Sequence, residues 1–265
     1  MTVDRIFPSY AFDLDGTIYL GDALLPEAKR AVETLRTAGS CILFLSNNPL
    51  QTRADYAAKL NHLGVPAAPD EVINSSWVLA RWLEREAPGA RLFVVGEAPL
   101  LGELRAAGFR LTEEPGAVEF VVASFDRTFD YRKLQIAFDA IRAGARFVAT
   151  NGDRYCPTLT SGLPDAAAVI GAIEGCTDKQ VEVVVGKPSP IAARAILDQL
   201  RLPASECIIV GDRRRPHRCH HARATGRFRH PARLCAPPVG RAAFEVGRIG
   251  NPTYGAATWT VVTTT

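Results

Sequence analysis

From residue 9 to residue 212 the chain alternates between two rhythms. Short apolar runs rich in Val, Ile, Leu and Phe read as strands: "YAFDLD" (10–15), "CILFLSNN" (41–48), "RLFVV" (91–95), "EFVVAS" (119–124), "ARFVAT" (145–150), "VEVVVG" (181–186) and "ECIIVGD" (206–212). Between most of them, apolar residues recur at helical spacing. "PEAKRAVETLRTAG" places Ala28, Ala31, Val32 and Leu35 on one face, with Pro26 near its start and Gly39 as a stop. "TRADYAAKLNHLG" closes on Gly64, and "SPIAARAILDQL" aligns Ala193, Ile196, Leu197 and Leu200. Continuous apolar strands separated by amphipathic helices predict an α/β fold, a doubly wound parallel sheet covered on both faces.

In such sheets ligands bind beyond the carboxyl ends of the strands. Polar residues collect at four such ends: Asp13 with Asp15, Ser46 with Asn47 and Asn48, Lys187, and Asp212. In "DLDGT" the carboxylates are two residues apart, so both would face one side of a continuing strand. Gly16 lets the chain turn sharply after them. One carboxylate can attack as a nucleophile while the other moves a proton. Two like charges so close call for a cation, and Mg²⁺ suits an all-oxygen site. The competing reading is a plain surface turn. Ser46 and the backbone N–H groups after it can hold phosphate oxygens, although Ser-Asn-Asn is also ordinary loop material. Lys187 in "VVVGKPSP" can neutralise a phosphoryl oxygen or simply face water. It does not belong to a Walker loop, because Val181 stands where the first glycine would be. Asp212 is either a Mg²⁺ ligand or a turn aspartate.

Taken together, DLDGT, a serine ending a strand, GKP and GD resemble the haloacid-dehalogenase-like hydrolase superfamily. "LSNN", "ARFVATNGD" and "VGKPSP" are similar to its subfamily IIA, the p-nitrophenylphosphatase and N-acetylglucosamine-operon phosphatase branch. The resemblance covers about residues 8–212. It implies a Rossmann-like core with an inserted α/β cap of type C2. Residues 1–77 and 183–212 would form the core and 78–182 the cap, with 213–265 an atypical tail. It implies hydrolysis of small phosphomonoesters through an aspartyl-phosphate. Asp13 would be the nucleophile and Asp15 the acid and base. Asp13, the Asp15 carbonyl and Asp212 would hold Mg²⁺, and Ser46, Asn47 and Lys187 would bind the phosphoryl group. Asp153, in "TNGDRYCPTLTSGLPD", is the one specificity residue inferred, with a water-facing loop aspartate as its rival reading.

Composition sharpens this picture at one place. The chain has 265 residues, enough for one large or two modest domains, and 47% are apolar. No apolar run approaches membrane-spanning length, so no membrane partner is expected. The first residues lack a signal pattern, and the six cysteines form no CxxC pair; a reducing cytoplasm is the expectation. The partner expected is a small phosphorylated metabolite, and a homo-oligomer is compatible with the sequence. The net charge of +3, however, hides an asymmetry. Residues 213–265 hold ten arginines and one acid, Glu245, for +9, while residues 1–212 carry −6. So abrupt a change at a strand end marks a boundary.

"RRRPHRCHHARATGRFRH" therefore has competing readings. A nucleic-acid arm would explain the arginines, but the segment lacks lysine and has few interleaved aromatics, so nucleic acid is disfavoured. An inactive homologue whose basic tail binds nucleic acid is the alternative function. A zinc site of His217, Cys219, His220, His221 and Cys235 matches no ligand spacing. A disordered basic tail is a third reading. The favoured one is a shifted reading frame. The resemblance calls for an acid about five residues after Asp212, where His217 stands. Read one base later from His217, the overlapping triplets permit Thr, Asp and small apolar residues. Those overlapping Arg229 to Arg233 permit Val, Ile, Leu, Leu and Val, a missing strand.

Overall fold

The structure is a computed structural model that describes residues 6–158, 161–211, 249–251, 254–257 and 260–262. It opens with β1 (Ser9–Asp13), β2 (Tyr19–Leu20), β3 (Ala23–Leu24), α1 (Ala28–Thr37), β4 (Cys41–Ser46), α2 (Arg53–His62), β5 (Val72–Asn74) and α3 (Ser75–Glu86). There follow β6 (Arg91–Val95), α4 (Ala98–Ala106), β7 (Arg110–Leu111), β8 (Phe120–Ala123), α5 (Tyr131–Arg142), β9 (Arg146–Ala149), β10 (Tyr155–Pro157) and β11 (Gly162–Pro164). The last elements are α6 (Ala166–Thr177), β12 (Val183–Val184), α7 (Pro190–Leu200), β13 (Cys207–Gly211), β14 (Ile249–Asn251), β15 (Tyr254–Ala257) and β16 (Thr260–Val262). The alternation of strand and helix read from the sequence is present, and the fold is α/β with parallel sheets. Among the described residues no helix is long and apolar enough to cross a membrane.

The chain divides into two compact units. The first comprises Met1–Phe44, Leu63–Val65 and Leu197–Thr265. Here β1 lies parallel to β13, with Ser9 opposite Cys207 and Phe12 opposite Val210. Its other neighbour is β4. Flanked on both edges, Tyr10, Ala11 and Phe12 are buried. β16 pairs antiparallel with β13, Ile209 opposite Val262. Helix α1 buries Ala28 and Val32 and stops where its pattern predicts: Gly39 adopts φ +87° and its N–H bonds back to Arg36.

The second unit comprises Leu45–His62 and Pro66–Ile196. Its parallel sheet runs in the order β12-β9-β8-β6-β7. Phe93, Val95, Val121 and Phe147 meet Ala137, Ala140 and Ile141 of α5 and Val169, Ile170 and Ile173 of α6 in one buried cluster. The last residues of β4 run beside β5. The sequence reads residues 181–186 as one strand, but only Val183 and Val184 pair, with β9. Beyond them the chain stays beside the end of β9, the Val185 N–H bonding to Ala149 O at 3.0 Å and the Gly186 N–H to Thr150 O at 2.7 Å.

One ion pair ties neighbouring strand ends together. Glu97, just past β6, takes Arg127 Nε at 2.8 Å, Arg127 Nη2 at 2.7 Å and the Arg127 backbone N–H at 2.9 Å, just past β8. These bonds hold the Glu97 carboxyl below the usual glutamate range. A carboxyl depressed in the folded state stabilises above its unfolded value of about 4.3 and ceases to do so as pH falls through the folded value. Glu97→Gln should therefore cost up to about 1 kcal/mol at pH 7, the guanidinium being half exposed. Urea unfolding of variant and parent should therefore converge as pH falls below about 4.3 and through the lowered folded value.

Candidate active site

The candidate residues form two clusters, one in each unit. In the first unit β1 ends at Asp13, two residues earlier than the sequence suggests. The reason lies in the next turn. The N–H groups of Thr17, Ile18 and Tyr19 converge on the carbonyl of Leu14 at 3.2, 2.9 and 3.2 Å. Gly16, at φ +80°, gives its N–H to Tyr19 O at 2.8 Å. A side chain at 16 would strain that conformation. The turn delivers the chain into the β2–β3 hairpin. Although the strand has ended, the alternation survives: Phe12 and Leu14 are buried, whereas Asp13 and Asp15 are partly exposed. The Leu14 N–H donates to Asp13 Oδ1 at 3.0 Å. Gly211, at the end of β13, lies alongside. A Cβ there would stand 3.4 Å from Asp13 Cβ and 3.6 Å from its Oδ2. Asp212, the third expected metal ligand, and His217 lie outside the described residues.

In the second unit Ser46, Asn47, Lys187 and Asp153 come together. The Asn47 side chain treats Lys187 as a strand partner. Its Oδ1 accepts the Lys187 N–H at 2.8 Å, and its Nδ2 donates to the Lys187 carbonyl at 2.9 Å. The same Nδ2 donates to Asp153 Oδ2 at 3.0 Å. Lys187 Nζ reaches the Leu45 carbonyl at 3.5 Å, placing the ammonium beside the end of β4. The Lys187–Pro188 peptide is cis. Ser46, Asn47, Gly186 and Lys187 line a cavity of about 10 Å³, room for roughly one water. Ser46 is buried; its Oγ donates to Tyr56 Oη at 3.1 Å and accepts from the Asn48 N–H at 3.1 Å.

Four supporting residues were not singled out from the sequence. Asn151, fully buried, donates to the Asn47 carbonyl at 3.1 Å and accepts the Asp153 N–H at 2.9 Å. Ser75 donates to the same Asn47 carbonyl at 2.6 Å. Tyr56 sits within a helical pattern that reads as apolar packing. Gly186 carried a usable signal, since a glycine directly after a strand marks close backbone approach. Chemically, the first cluster offers paired carboxylates and the second a cation, a hydroxyl and polarised amides. Each group by itself is of a kind that acyl or phosphoryl transfer employs.

Comparisons with known proteins agree on one family. A family model for haloacid dehalogenase-like hydrolases matches residues 10–110. Sugar-phosphatase AraL of Bacillus subtilis is 40% identical over 200 residues, 76% of this chain and 74% of that protein. An acid sugar phosphatase of Staphylococcus saprophyticus is 33% identical over 78% of this chain and 79% of its own length. Among solved structures, a 4-nitrophenylphosphatase from Thermotoga maritima superposes with a TM-score of 0.75 at 32% identity, covering 78% of each chain.

Gly186 supplies the check on the second cluster. A Cβ there would lie 2.5 Å from Thr150 O and 2.9 Å from Asn47 Oδ1. Gly186→Ala should cost about 2–3 kcal/mol by urea unfolding, because the Thr150 backbone and the Asn47 side chain must both give way. Gly102→Ala, inside α4 with open space around it, should instead stabilise by about 0.5–1 kcal/mol.

Proposed function

The chain belongs to the haloacid dehalogenase-like hydrolases and is a phosphatase of that family, and we propose that its substrates are small phosphomonoesters of the sugar phosphate, nucleotide or p-nitrophenyl phosphate type. The observation that carries this reading is the DLDGT turn. It ends a buried strand on one carboxylate, buries Leu14, and leaves the second carboxylate partly exposed like the first. Asp13 attacks phosphorus and displaces the alcohol, and Asp15 gives the leaving oxygen its proton. Asp15 then takes a proton from water, which attacks the same phosphorus and releases Asp13. Ser46 donates to the phosphoryl group, and Lys187 balances its charge. Asn47 contributes its backbone beside Ser46, its side chain being engaged with Lys187 and Asp153. Residues 78–182 act as a cap that chooses the substrate, with Asp153 as a specificity residue.

The donor set suits Mg²⁺. Asp13 and the carbonyl of Asp15 offer hard oxygens at one turn, and the bare Gly211 leaves the flank of Asp13 uncrowded. Asp13, the Asp15 carbonyl and Asp212 would hold the ion. When bound, Mg²⁺ supplies charge neutralisation for the phosphoryl oxygens. We place the enzyme in the cytoplasm; Cys41, Cys156, Cys176 and Cys207 are free thiols.

Two experiments bear on this reading. Asp13→Asn should abolish capture of phosphate on the protein. Asp15→Asn should still form the phosphoenzyme but slow its breakdown by on the order of 10²–10⁴-fold. Equal loss of trapped phosphate in both variants would remove these roles.

The second experiment concerns the tail. About a quarter of this chain, and of each relative compared, lies outside the match. We propose that the sequence after Asp212 is read in a shifted frame. Ten arginines follow it, and Arg213 to Arg215 bring like charge toward a cation. Rebuilding the shifted frame should lower the Mg²⁺ concentration needed for half-maximal hydrolysis and raise the melting temperature. If the chain as written already matches the rebuilt one on both counts, the shift is wrong.

A further inference from the structure

Ser46 is surrounded by a closed ring of hydrogen bonds. Its Oγ donates to Tyr56 Oη at 3.1 Å. Tyr56 Oη donates to the Asn48 carbonyl at 3.0 Å. The Asn48 N–H returns to Ser46 Oγ at 3.1 Å. Both side chains are buried, Ser46 at 4% and Tyr56 at 2% exposure, so neither can exchange its partner for bulk water. Tyr56 is also firmly placed. Thr52 and Asp55 bond reciprocally at the start of α2, Thr52 N–H to Asp55 Oδ2 at 2.9 Å and Asp55 N–H to Thr52 Oγ1 at 3.1 Å. Tyr56 follows in that first turn, its N–H bonded to Thr52 O at 3.1 Å.

A hydroxyl carries one proton, and here the proton of Ser46 is spent on Tyr56. To donate to a phosphoryl oxygen, Ser46 must turn that proton outward; its oxygen keeps the Asn48 N–H but then faces Tyr56 Oη with no proton between them, which calls for a second donor. Tyr56 can supply it by swinging its own O–H from the Asn48 carbonyl to Ser46 Oγ. No covalent bond changes; two O–H bonds rotate. A phenol is a better donor than an aliphatic alcohol, and a hydrogen bond received by Ser46 strengthens the one it gives.

We infer that Tyr56 is the positioning residue of Ser46: its hydroxyl is a rotor that points the serine proton inward at rest and outward when a phosphoryl group arrives. This rests on reading Ser46 as a phosphoryl-binding hydroxyl. It adds a residue on α2, remote from the four strand-end motifs, to the machinery of the reaction.

The test is a double-mutant cycle in the full chain, with inorganic phosphate as competitive inhibitor and p-nitrophenyl phosphate as substrate. Tyr56→Phe keeps the ring and removes the rotor. With Ser46 present it should raise both the phosphate Ki and the KM by about five- to tenfold, the worth of one hydrogen bond between neutral groups. In the Ser46→Ala background the same change should move neither. No effect of Tyr56→Phe, or an equal loss in both backgrounds, overturns the inference and leaves the phosphatase reading standing. A parent chain that neither hydrolyses the ester nor binds phosphate by titration calorimetry sinks that reading and this inference with it. Should Tyr56→Phe fail to fold, 3-fluorotyrosine at 56 preserves the hydroxyl and makes it a stronger donor. It must then lower the phosphate Ki, and only when Ser46 is present.

Discussion

The second unit's cluster depends on one side-chain amide standing in for a strand. Asn47 meets both backbone groups of Lys187, N–H to Oδ1 and Nδ2 to C=O, as a sheet neighbour would. The chain after Gly186 has left β12 and must turn through a proline, so no real strand can pair there. Without that pair of bonds the backbone of half-buried Lys187 would lose a donor and an acceptor partner at once, which is costly wherever water cannot fully replace them. Everything else follows from keeping Asn47 still. Asn151 and Ser75 both donate to its carbonyl, Gly186 offers no side chain to push it, and Asp153 accepts the remaining direction of its amide.

The first unit solves a different problem with the backbone alone. Asp13 and Asp15 are both partly exposed while Leu14 between them stays buried. Extended strand geometry does this, but continuing the strand would carry the chain onward. The three N–H groups gathered on Leu14 O fold it back immediately after the second aspartate. Asp13 thus keeps the rigidity of a central strand, and Asp15 gains the position that only a turn provides. A site built on a strand end inherits the strand's precision, and the loop adds only what the strand cannot.

Much of this was legible in the residues. Apolar runs located β1, β4, β6, β8, β9 and β13, and glycine punctuation located the end of α1. Polar residues directly after apolar runs picked out Asp13, Ser46 and Lys187. What could not be read were partnerships set by tertiary contact. Tyr56 looks like one more apolar position on α2, because a helical pattern does not distinguish a ring from its hydroxyl. Asn151 stands beside Asp153 in sequence, yet its part is to hold Asn47, more than a hundred residues away. The turn at Leu14 likewise escapes a periodicity argument, since "YAFDLD" alternates as though the strand went on. Asp212 was read from the same logic as Asp13, but it falls outside the described residues.

The burial of Asn151 also governs how this protein ages. Asn151 is followed by Gly152, a pair in which a loose backbone lets the next nitrogen attack the side-chain amide and expel ammonia. In the folded chain both ends of that amide are held, one by Asn47 and one by Asp153, and water is excluded. The reaction is thereby confined to molecules that have opened. Water then opens the cyclic imide to aspartate or isoaspartate, and either puts a carboxylate in place of the amide that donates to the Asn47 carbonyl. Spells of unfolding would thus leave a chemical record at the residue that steadies the cluster, and damage there would accumulate with time spent unfolded rather than with turnover.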